Sequence, residues 1–479
     1  VGTLAWNGYR HLEIYYGSSG SELVCHTINP RLFPEQIAWI ANDAADKVLC
    51  FDLTFLPLVE KLVPALTSVK HYVAMVGRSH MPAQTTIPNL LCYEELVDAE
   101  DGVYRWPEFD ENTASSICYT SGTTGNPKGA VYSHRSTLLH TYGLALPDGM
   151  GVGGRDVILP VVPMFHVNAW GTPYAAPMIG AKLVFPGPHL DGKSLYELME
   201  GEKVTFSAGV PTVWLGLINF AQAQKLKFST LKRTVIGGSA CPPAMMRTLE
   251  DEFGIEVIHA WGMTEMSPLG TLSKLKGKHD ALPVEAKRRI LEKQGKVIFG
   301  VDMEIIDDDG ASLPWDAEAS GNLVVRGPWI IRSYFQRNES PLVKVNGREW
   351  FPTGDVAAID ADAYMQITDR SKDVIKSGGE WISSIDLENI AMGHPAVLEA
   401  AAIACRHPKW DERPLLVVVR KAGAELSREQ MLAFFDGKIA KWQIPDDVVF
   451  APEIPHTATG KIQKLKLRDM YKDHKLPGA

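Results

Sequence analysis

The sequence predicts an α/β fold: a large N-terminal body of stacked α/β layers with a β-rich subdomain, followed by a small, mobile C-terminal α+β domain. Three observations lead to this prediction. Apolar segments of strand length alternate with helix-like segments through the first two thirds of the chain, short strands with turn signals follow, and a charged pentad then precedes the last part. Alternating strands and helices are typical of layered proteins with largely parallel sheets.

The strand predictions rest on short apolar runs, which are typical of strands buried on both faces of a parallel sheet. Helix-like segments between them have apolar residues three or four positions apart. In residues 194–200, Leu195 and Leu198 have this spacing, and Ser194 is the expected N-cap. The predicted strands are residues 47–51, 157–162, 182–185 and 234–236.

The β-rich subdomain is predicted from Lys296 onward, where turn clusters separate short strands. Residues 307–310 (Asp-Asp-Asp-Gly) and 360–363 (Asp-Ala-Asp-Ala) are such clusters. The preceding Lys-rich stretch, residues 273–294, suits either a solvent-exposed helix or an inserted loop.

A charged pentad, Asp-Arg-Ser-Lys-Asp, follows the β-rich part and has the polar composition of an inter-domain hinge. We therefore expect an N-terminal domain at residues 1–368, a hinge at 369–373 and a mobile C-terminal domain at 374–479. The chain begins with a strand-like run, residues 1–6, so an upstream segment is expected to be missing.

The composition excludes several classes of protein. Of the 479 residues, 45% are hydrophobic and 22% are charged, which excludes a disordered or low-complexity chain. A net charge of −9 argues against broad binding to nucleic acids or anionic membranes. No apolar run approaches the ~20 residues of a spanning helix. Six separated cysteines suit buried, reduced thiols better than disulfides or a thiolate metal site. These features predict a cytoplasmic protein without nucleic-acid binding or integral membrane association.

The strongest local signal is a Ser/Thr/Gly-rich loop at residues 119–129, Tyr-Thr-Ser-Gly-Thr-Thr-Gly-Asn-Pro-Lys-Gly. Its glycines allow the backbone to approach an anion closely, and its hydroxyls and lysine supply donors. Pro127 and the strand-like residues 129–132 distinguish it from a GxxxxGK[ST] loop, which runs into a helix. A surface hairpin is the alternative interpretation. The candidate phosphate ligands are Thr120, Ser121, Gly122, Thr123, Thr124, Gly125 and Lys128.

This loop resembles the signature of the adenylate-forming superfamily, which comprises acyl-CoA synthetases, peptide-synthetase adenylation domains and firefly-type luciferases. Further segments in the family's order extend the resemblance over nearly the whole chain. They are residues 261–265 (Trp-Gly-Met-Thr-Glu), 353–355 (Thr-Gly-Asp), 369–373 (Asp-Arg-Ser-Lys-Asp) and 455–461, which begins with Pro and ends with Gly-Lys. The resemblance implies an enzyme that uses ATP, Mg²⁺ and coenzyme A to activate a small carboxylic acid, with ATP and the acyl group bound by residues 1–368.

The resemblance also implies how two anions, the carboxylate and ATP, are brought together. Lys461 would bridge the carboxylate and the α-phosphate, Thr264 would donate to that phosphate, and Glu265 would bind Mg²⁺. Asp355 would accept the ribose hydroxyls, and Arg370 would contact the same sugar. Without the family, Lys461 would be interpreted as solvated and Thr264–Glu265 as a helix start. The segments beside adenine and the acyl chain would be Gly237, Gly238, Ser239 and Ala240, with Ala260, Trp261 and Gly262.

For transfer to a thiol, the family rotates its C-terminal domain about the hinge, and Asp369 is the expected pivot. Lys461 then leaves, and the segment after the hinge lines the passage for pantetheine, where paired glycines leave room. In this chain the pantetheine segment is Gly378, Gly379, Glu380 and Trp381.

The acyl site is predicted at residues 163–170, Pro-Met-Phe-His-Val-Asn-Ala-Trp. Amino-acid-activating relatives have an aspartate at the position of His166, so an amino acid would lack its counter-charge here. In fatty acyl-CoA synthetases the histidine lies beside the reacting carboxylate, and the tryptophan corresponding to Trp170 gates the acyl tunnel. Core packing is the alternative for Trp170. Three more segments resemble bacterial medium- and long-chain fatty acyl-CoA ligases and, most of all, 3-(methylthio)propionyl-CoA ligases: residues 259–268, 409–414 and 440–443.

Together these features predict an ATP-dependent carboxylate–CoA ligase that forms an acyl-AMP and then an acyl-CoA from 3-(methylthio)propionate or a fatty acid. The alternatives are an acyl-AMP ligase that loads a carrier-protein thiol and a non-catalytic nucleotide-binding protein. Relatives are often homodimers, so a homodimer is expected. Two departures from the family, Ala363 at a turn glycine and the inserted residues 348–350, are expected to lower stability.

Overall fold

A seven-stranded sheet forms the first layer of the computed structural model, which describes residues 1–120, 126–378, 380–457 and 461–477. Its strand order is β5-β4-β3-β1-β2-β6-β7, and all neighbours are parallel except β6 and β7. The strand-like run at residues 1–6 contains β1, which is shorter than the run and lies inside the sheet. The strands are β1 (Gly2–Leu4), β2 (Cys25–Thr27), β3 (Val48–Phe51), β4 (His71–Ala74), β5 (Leu91–Cys92), β6 (Ala114–Tyr119) and β7 (Gly129–Ser133).

Helices connect these strands and pack on the sheet. Pro34 begins one of them, at a first-turn position where proline's missing N–H costs nothing. Ser133 caps another through a hydrogen bond that Ser136 N donates to its Oγ over 3.0 Å. The helices are Tyr9–Gly20, Pro34–Asp43, Leu56–Leu62, Tyr93–Asp98 and His134–Ala145.

The second layer is another seven-stranded sheet with the order β14-β13-β12-β11-β10-β8-β9. In this sheet β13 is antiparallel to both of its neighbours, β12 and β14, and the other pairs are parallel. The predicted strand at 157–162 ends early, because Val161 N and Val162 N both donate to Ala208 O and so leave the regular ladder. The predicted strand at 182–185 also ends early, at Leu183. The strands are β8 (Val157–Pro160), β9 (Lys182–Leu183), β10 (Phe206–Gly209), β11 (Arg233–Ile236), β12 (Glu256–Gly262), β13 (Leu269–Leu272) and β14 (Lys296–Val297).

Among the helices of this layer, the predicted N-cap at Ser194 is wrong, and the predicted solvated face of the Lys-rich stretch is confirmed. Asp191, and not Ser194, is the N-cap of its helix, since the Asp191 side chain accepts a hydrogen bond from Ser194 N over 3.0 Å. The Lys-rich stretch contains a helix with no buried residue, as expected for a solvated face. The helices are Thr172–Ile179, Gly192–Gly201, Pro211–Ala223, Pro243–Arg247 and Val284–Leu291, with a π-helical turn at Thr248–Glu252.

The third sheet is the predicted β-rich subdomain and is antiparallel, with the order β15-β16-β18-β17 and β19 beside β18. Both predicted Asp-rich clusters lie at turns. The inserted residues 348–350 begin β18 after a tight turn at Asn346 and Gly347. Both turn residues have positive φ, which is why Asn-Gly is favoured at such hairpins. The strands are β15 (Asp302–Ile306), β16 (Ser320–Arg326), β17 (Val343–Val345), β18 (Arg348–Ile359) and β19 (Met365–Arg370).

The last part of the chain forms an α+β unit around a five-stranded sheet of order β21-β20-β23-β22, with β24 parallel to β23. Helices Ser384–Met392, Arg428–Ala433 and Lys464–Met470 pack on it. The predicted fold class, a large α/β body with a smaller C-terminal α+β unit, is therefore confirmed. The strands are β20 (Ile375–Ser377), β21 (Glu380–Ile382), β22 (Val397–His407), β23 (Asp411–Arg420) and β24 (Asp447–Phe450).

The buried apolar residues also divide between the larger body and the C-terminal unit. One cluster joins side chains of the first three sheets, from Cys118 to Met365, whereas two clusters consist only of residues from Ile375 onward. All six cysteines are buried and free, as predicted. Within the described ranges, no helix has both the length and the apolar character needed to cross a membrane.

Candidate active site

A cleft between the first three sheets and the C-terminal unit contains a cavity of about 670 Å³. Lys461 and Lys464 reach it from the C-terminal side, and most of the wall comes from loops at the ends of the strands in the body. The predicted site residues that line it are Thr120, Lys128, His166, Trp170, Gly237, Gly238, Ser239, Ala240, Ala260, Trp261, Gly262, Thr264, Glu265, Asp355, Arg370 and Lys461.

Several predicted residues are not brought together with this group. Gly378 and Glu380 do not line the cavity in this arrangement. Five predicted phosphate ligands and one glycine of the thiol passage lie outside the described residues, as does the side chain of Trp381. These positions are Ser121, Gly122, Thr123, Thr124, Gly125 and Gly379.

The two ends of the phosphate loop are joined to each other. Thr120 N donates to Lys128 O over 3.0 Å, and Lys128 N donates to Thr120 Oγ1 over 3.2 Å. The chain continues from Lys128 into β7, so the predicted strand after the loop is confirmed. The Lys128 ammonium lies 5.0 Å from the centre of the Tyr334 ring, where the negative face of the ring attracts it. This anchoring directs a positive charge toward the cavity.

Glu265 lies in a turn that follows the end of β12. The turn packs tightly, because a Cβ on Gly262 would meet Pro268 O at 2.1 Å. The Glu265 side chain is only 8% exposed, and its Oε1 accepts a hydrogen bond from Tyr334 over 2.7 Å. Thr264 is held through its carbonyl, which accepts from Tyr132 over 2.6 Å. The turn thus aims a buried carboxylate at the cavity.

The donor set fits Mg²⁺ only in part. Carboxylate oxygen suits this hard cation, which proteins often hold through one or two carboxylates together with substrate phosphates. Among the described residues no group of three or more His, Cys, Asp or Glu side chains is placed to hold a metal ion. Glu265 therefore suits an ion that it shares with a nucleotide, and not an all-protein site.

Asp355 lies in β18 and is 2% exposed. Trp261 Nε1 donates to its Oδ2 over 2.9 Å, and Arg370 Nε lies 2.7 Å from its Oδ1. Burial raises the pKa of Asp355, whereas the Arg370 charge, the Trp261 hydrogen bond and the Lys461 charge all act to lower it. Trp261 and Arg370 thus orient a carboxylate that retains lone pairs for further donors.

Lys461 lines the cavity, and its backbone is held by Thr457, whose N donates to Lys461 O over 2.7 Å. Burial lowers the pKa of Lys461 to about 8, and the Arg370 charge acts in the same direction, whereas Asp355 and Glu265 oppose the change. Its Cε lies 3.9 Å from the point that a Cβ on Gly238 would occupy. A cation with these neighbours can stabilise an anionic reactant in the cavity.

His166 and Trp170 line the cavity close to Lys461. Burial and the charge of Lys461 lower the pKa of His166 to about 3, so the ring is neutral at physiological pH. The Trp170 Cζ2 lies 3.7 Å from the Cβ point on Gly238, which has a φ of +82°. A Cβ on Gly237 would meet Ala260 O at 2.7 Å, so close approach requires glycine there, whereas the positive φ favours glycine at Gly238.

Two residues that support the site, Tyr334 and His259, received no role from the sequence. Tyr334 connects Lys128 to Glu265 but lies in no recognised segment. His259 is buried beneath the loop that follows β11: its Nε2 accepts from Cys241 N over 3.1 Å and its Nδ1 is 2.9 Å from Glu292 O. Burial lowers the pKa of His259 to about 4, which suits a neutral structural ring. Its position two residues before Trp261 in β12 was a usable signal.

Comparison with known proteins is consistent with this geometry. Residues 1–335 match the model of the AMP-binding enzyme family, and residues 386–461 match the AMP-binding enzyme C-terminal domain. The chain is 55% identical to a 3-methylmercaptopropionyl-CoA ligase of Ruegeria lacuscaerulensis, over 99% of this chain and 87% of the relative. It is 51% identical to a medium-chain-fatty-acid–CoA ligase of Ectopseudomonas oleovorans, over 98% and 86%.

A crystal structure of an anthranilate CoA ligase in complex with anthranoyl-AMP has the same fold, with a TM-score of 0.86 at 24% identity over 98% of this chain and 87% of that chain. The resemblance inferred from the motifs is confirmed by these matches. The chain belongs to the family of AMP-binding enzymes.

Proposed function

We propose that this enzyme is an ATP- and Mg²⁺-dependent carboxylate–CoA ligase (an AMP-forming acid–thiol ligase) that acts on 3-methylmercaptopropionate or a fatty acid. The observation that carries the proposal is that one cavity is lined by Lys461, Asp355 and Glu265. The same cavity is also lined by Trp170 and Gly238. The names of the relatives, CoA ligases for 3-methylmercaptopropionate and for medium-chain fatty acids, support the choice of reaction and acids.

In the first step, a carboxylate oxygen attacks the α-phosphorus of ATP, and the bond from that phosphorus to the bridging oxygen breaks so that pyrophosphate leaves. Two anions must approach each other, so the protonated Lys461 lowers their repulsion. Thr264 donates to the α-phosphate, and Lys128 neutralises the outer phosphates. The neutral His166 lies beside the carboxylate and orients it without adding charge.

The nucleotide is held by its sugar and its metal. Asp355, oriented by Trp261 and Arg370, accepts hydrogen bonds from the ribose hydroxyls. Glu265 would hold Mg²⁺ together with the phosphates, where the ion supplies positive charge to the phosphate oxygens. Tyr334 fixes the orientation of the Glu265 carboxylate.

In the second step, the sulfur of coenzyme A attacks the acyl carbon of the acyl-AMP, the acyl–phosphate bond breaks, and AMP leaves while the thiol loses its proton. Lys461 occupies the cleft that the thiol must enter. We therefore propose that residues 374–479 turn about the hinge at 369–373 relative to the domain at 1–368, with Asp369 as the pivot. The turn would withdraw Lys461 and bring residues 378–381 to the passage for pantetheine.

The walls of the acyl side favour an apolar acid over an amino acid. The neutral His166 offers no negative charge to an α-amino group. Apolar side chains, among them Val167, Trp170, Leu215 and Met245, line the cavity around the glycine pair. A thioether acid and an alkyl acid both suit these walls, since apolar pockets discriminate by only about 1–3 kcal/mol per methylene.

Pyrophosphate release and mass spectrometry together test the proposal. The protein is incubated with ATP, Mg²⁺, coenzyme A and, in turn, 3-methylmercaptopropionate, butyrate, octanoate and palmitate. We expect acid-dependent pyrophosphate and the matching acyl-CoA, with Lys461→Ala losing both and the exposed-lysine control Lys466→Ala retaining both. Pyrophosphate without acyl-CoA would favour a carrier-protein thiol as acceptor, and no pyrophosphate with any acid would refute the proposal.

The compartment and the assembly also belong to this proposal. Six buried, reduced cysteines fit the cytoplasm, where thiols remain reduced. A homodimer is the assembly that the family resemblance favours, and light scattering coupled to size-exclusion chromatography would test it.

A further inference from the structure

A strained turn lies directly after His166 on the acyl side of the cavity. Residues Val167, Asn168, Ala169 and Trp170 have φ values of +46°, +49°, +46° and +55°. The ψ values of Asn168 and Ala169, 45° and 42°, complete a left-handed helical turn. Residues with a Cβ rarely adopt this conformation even singly, and four in succession are unfavourable at every position. Such strain persists only where surrounding contacts hold it, and it is concentrated at functional sites.

The turn determines which side chains reach the cavity. His166 precedes it with an extended backbone, and Trp170 ends it, four residues later. Both side chains line the cavity, and the Trp170 ring and the Lys461 stem lie 3.7 and 3.9 Å from the same Cβ point on Gly238. A right-handed turn here would direct Trp170 elsewhere, because side-chain directions follow the handedness of the backbone. The wall around the reacting carboxylate therefore depends on the turn.

Asn168 is the residue that connects the turn to the body of the protein. Asparagine tolerates the left-handed region better than most residues, and this one is only 3% exposed. Its Nδ2 donates to Ser116 Oγ over 3.0 Å, and its Oδ1 accepts from Tyr15 over 3.3 Å and from the Cys118 thiol over 3.4 Å. Ser116 and Cys118 belong to β6, the strand that leads into the phosphate loop.

We propose that Asn168 is a positioning residue for the carboxylate substrate: its buried amide holds the left-handed turn, and the turn holds the Trp170 indole against Gly238 and beside Lys461. This inference rests on the proposed function, because it concerns the acid in that same cavity. Asn168 does not touch the nucleotide side of the cavity wall, so its effect should fall on the acid and not on ATP.

Three variants test the role of the amide. Asn168→Ala removes the anchor and disfavours the left-handed backbone, Asn168→Gly removes only the anchor, and Ser116→Ala removes one partner from the other side. Ser115→Ala is the matched control, because Ser115 is a buried serine of the same strand whose hydroxyl donates to Tyr132 O and does not contact the turn. Pyrophosphate release is measured against acid at saturating ATP and against ATP at saturating acid, with the thermal midpoint recorded for each variant.

We expect kcat/KM for the acid to fall about tenfold to a hundredfold in Asn168→Ala, as misplaced walls around reacting groups do. The kcat/KM for the acid should fall less in Asn168→Gly and Ser116→Ala. In Ser115→Ala it should stay within about twofold of the parent value, as should the KM for ATP in every variant. If Asn168→Ala does not fold, the Asn168→Gly and Ser116→Ala variants alone test the inference.

Two results would overturn the inference alone. One is an active parent whose Asn168 and Ser116 variants keep the parent kcat/KM for the acid, and the other is a set of variants whose KM for ATP rises by as much as their kcat/KM for the acid falls, as a merely structural role would produce. A parent that releases no pyrophosphate with any acid would overturn the proposed function, and this inference with it.

Discussion

The adenylation activity of this enzyme should fall as the pH rises through 8, because Lys461 loses its charge there. Burial and the neighbouring Arg370 lower the pKa of Lys461 to about 8. The pH dependence of kcat/KM reports the ionisation of the free enzyme. A single group with this pKa is about nine-tenths protonated at pH 7 and about one-tenth protonated at pH 9, so kcat/KM for the acid should fall about tenfold between these values.

The assay is pyrophosphate release without coenzyme A, so that the thiol's own ionisation does not contribute. In Lys461→Arg the guanidinium stays charged throughout this range, so the alkaline decline should disappear even if the rate is lower. Lys466→Ala, at an exposed lysine nearby, should keep the decline. A parent profile that stays level from pH 7 to 9, or a decline that persists in Lys461→Arg, would refute the assignment of the charge to Lys461.

Three further outcomes follow from single contacts. Ala363 has a φ of +65°, so Ala363→Gly should raise the free energy of unfolding in urea by about 0.5–1 kcal/mol, the relief of a left-handed Cβ less the added entropy of the unfolded chain. Tyr334→Phe removes the hydrogen bond to Glu265 and should raise the Mg²⁺ concentration for half-maximal activity about tenfold, whereas Tyr142→Phe at an exposed ring should not. The pKa of His166 is about 3, so the ring stays neutral above that pH, and His166→Gln should leave the shape of the profile between pH 5 and 7 unchanged.

Much of the cleft was predictable because its residues lie in short segments that resemble those of the adenylate-forming superfamily. Asp355 and Glu265 lie in short recognisable segments, and the structure brings both to one cavity with Lys461, roughly 100 and 200 residues further along the chain. The alternation of strands and helices likewise predicted the layered body. The exact strand ends were less predictable, since the end of β8 depends on two amides that share Ala208 O on a neighbouring strand.

The residues that sequence reasoning missed act through contacts between distant segments. Tyr334 meets Glu265 across 69 positions of the chain, and Asn168 meets Ser116 across 52. Neither contact leaves a local pattern. The left-handed turn at 167–170 was equally hidden, because its residues have no glycine among them and the hydrogen bonds of Asn168 reach segments distant in the chain. The N-cap at Asp191 was missed for a simpler reason: helix ends are the least certain part of a sequence pattern.

Whether the inserted residues 348–350 lower stability depends on contacts that the structure shows. They begin β18 behind an Asn-Gly turn, and Trp350 is buried against Val345 and its neighbours. The insertion therefore has its own hairpin and its own apolar contact. Both departures from the family nevertheless keep a physical reason to lower stability. Ala363 has a left-handed backbone, and the buried Trp350 Nε1 has no hydrogen-bond partner among the described residues.

Arg370 faces Asp355 directly across the β18–β19 pair and is the last residue of β19. Both members of this ion pair thus belong to one sheet of the larger body. A chimaera joined just beyond residue 370 would import a foreign C-terminal unit and keep this ion pair, to which we assign the ribose contact, intact. Under the proposed roles, exchange of such units between relatives should therefore alter thiol preference, while ribose recognition follows the parent that supplies the first 370 residues.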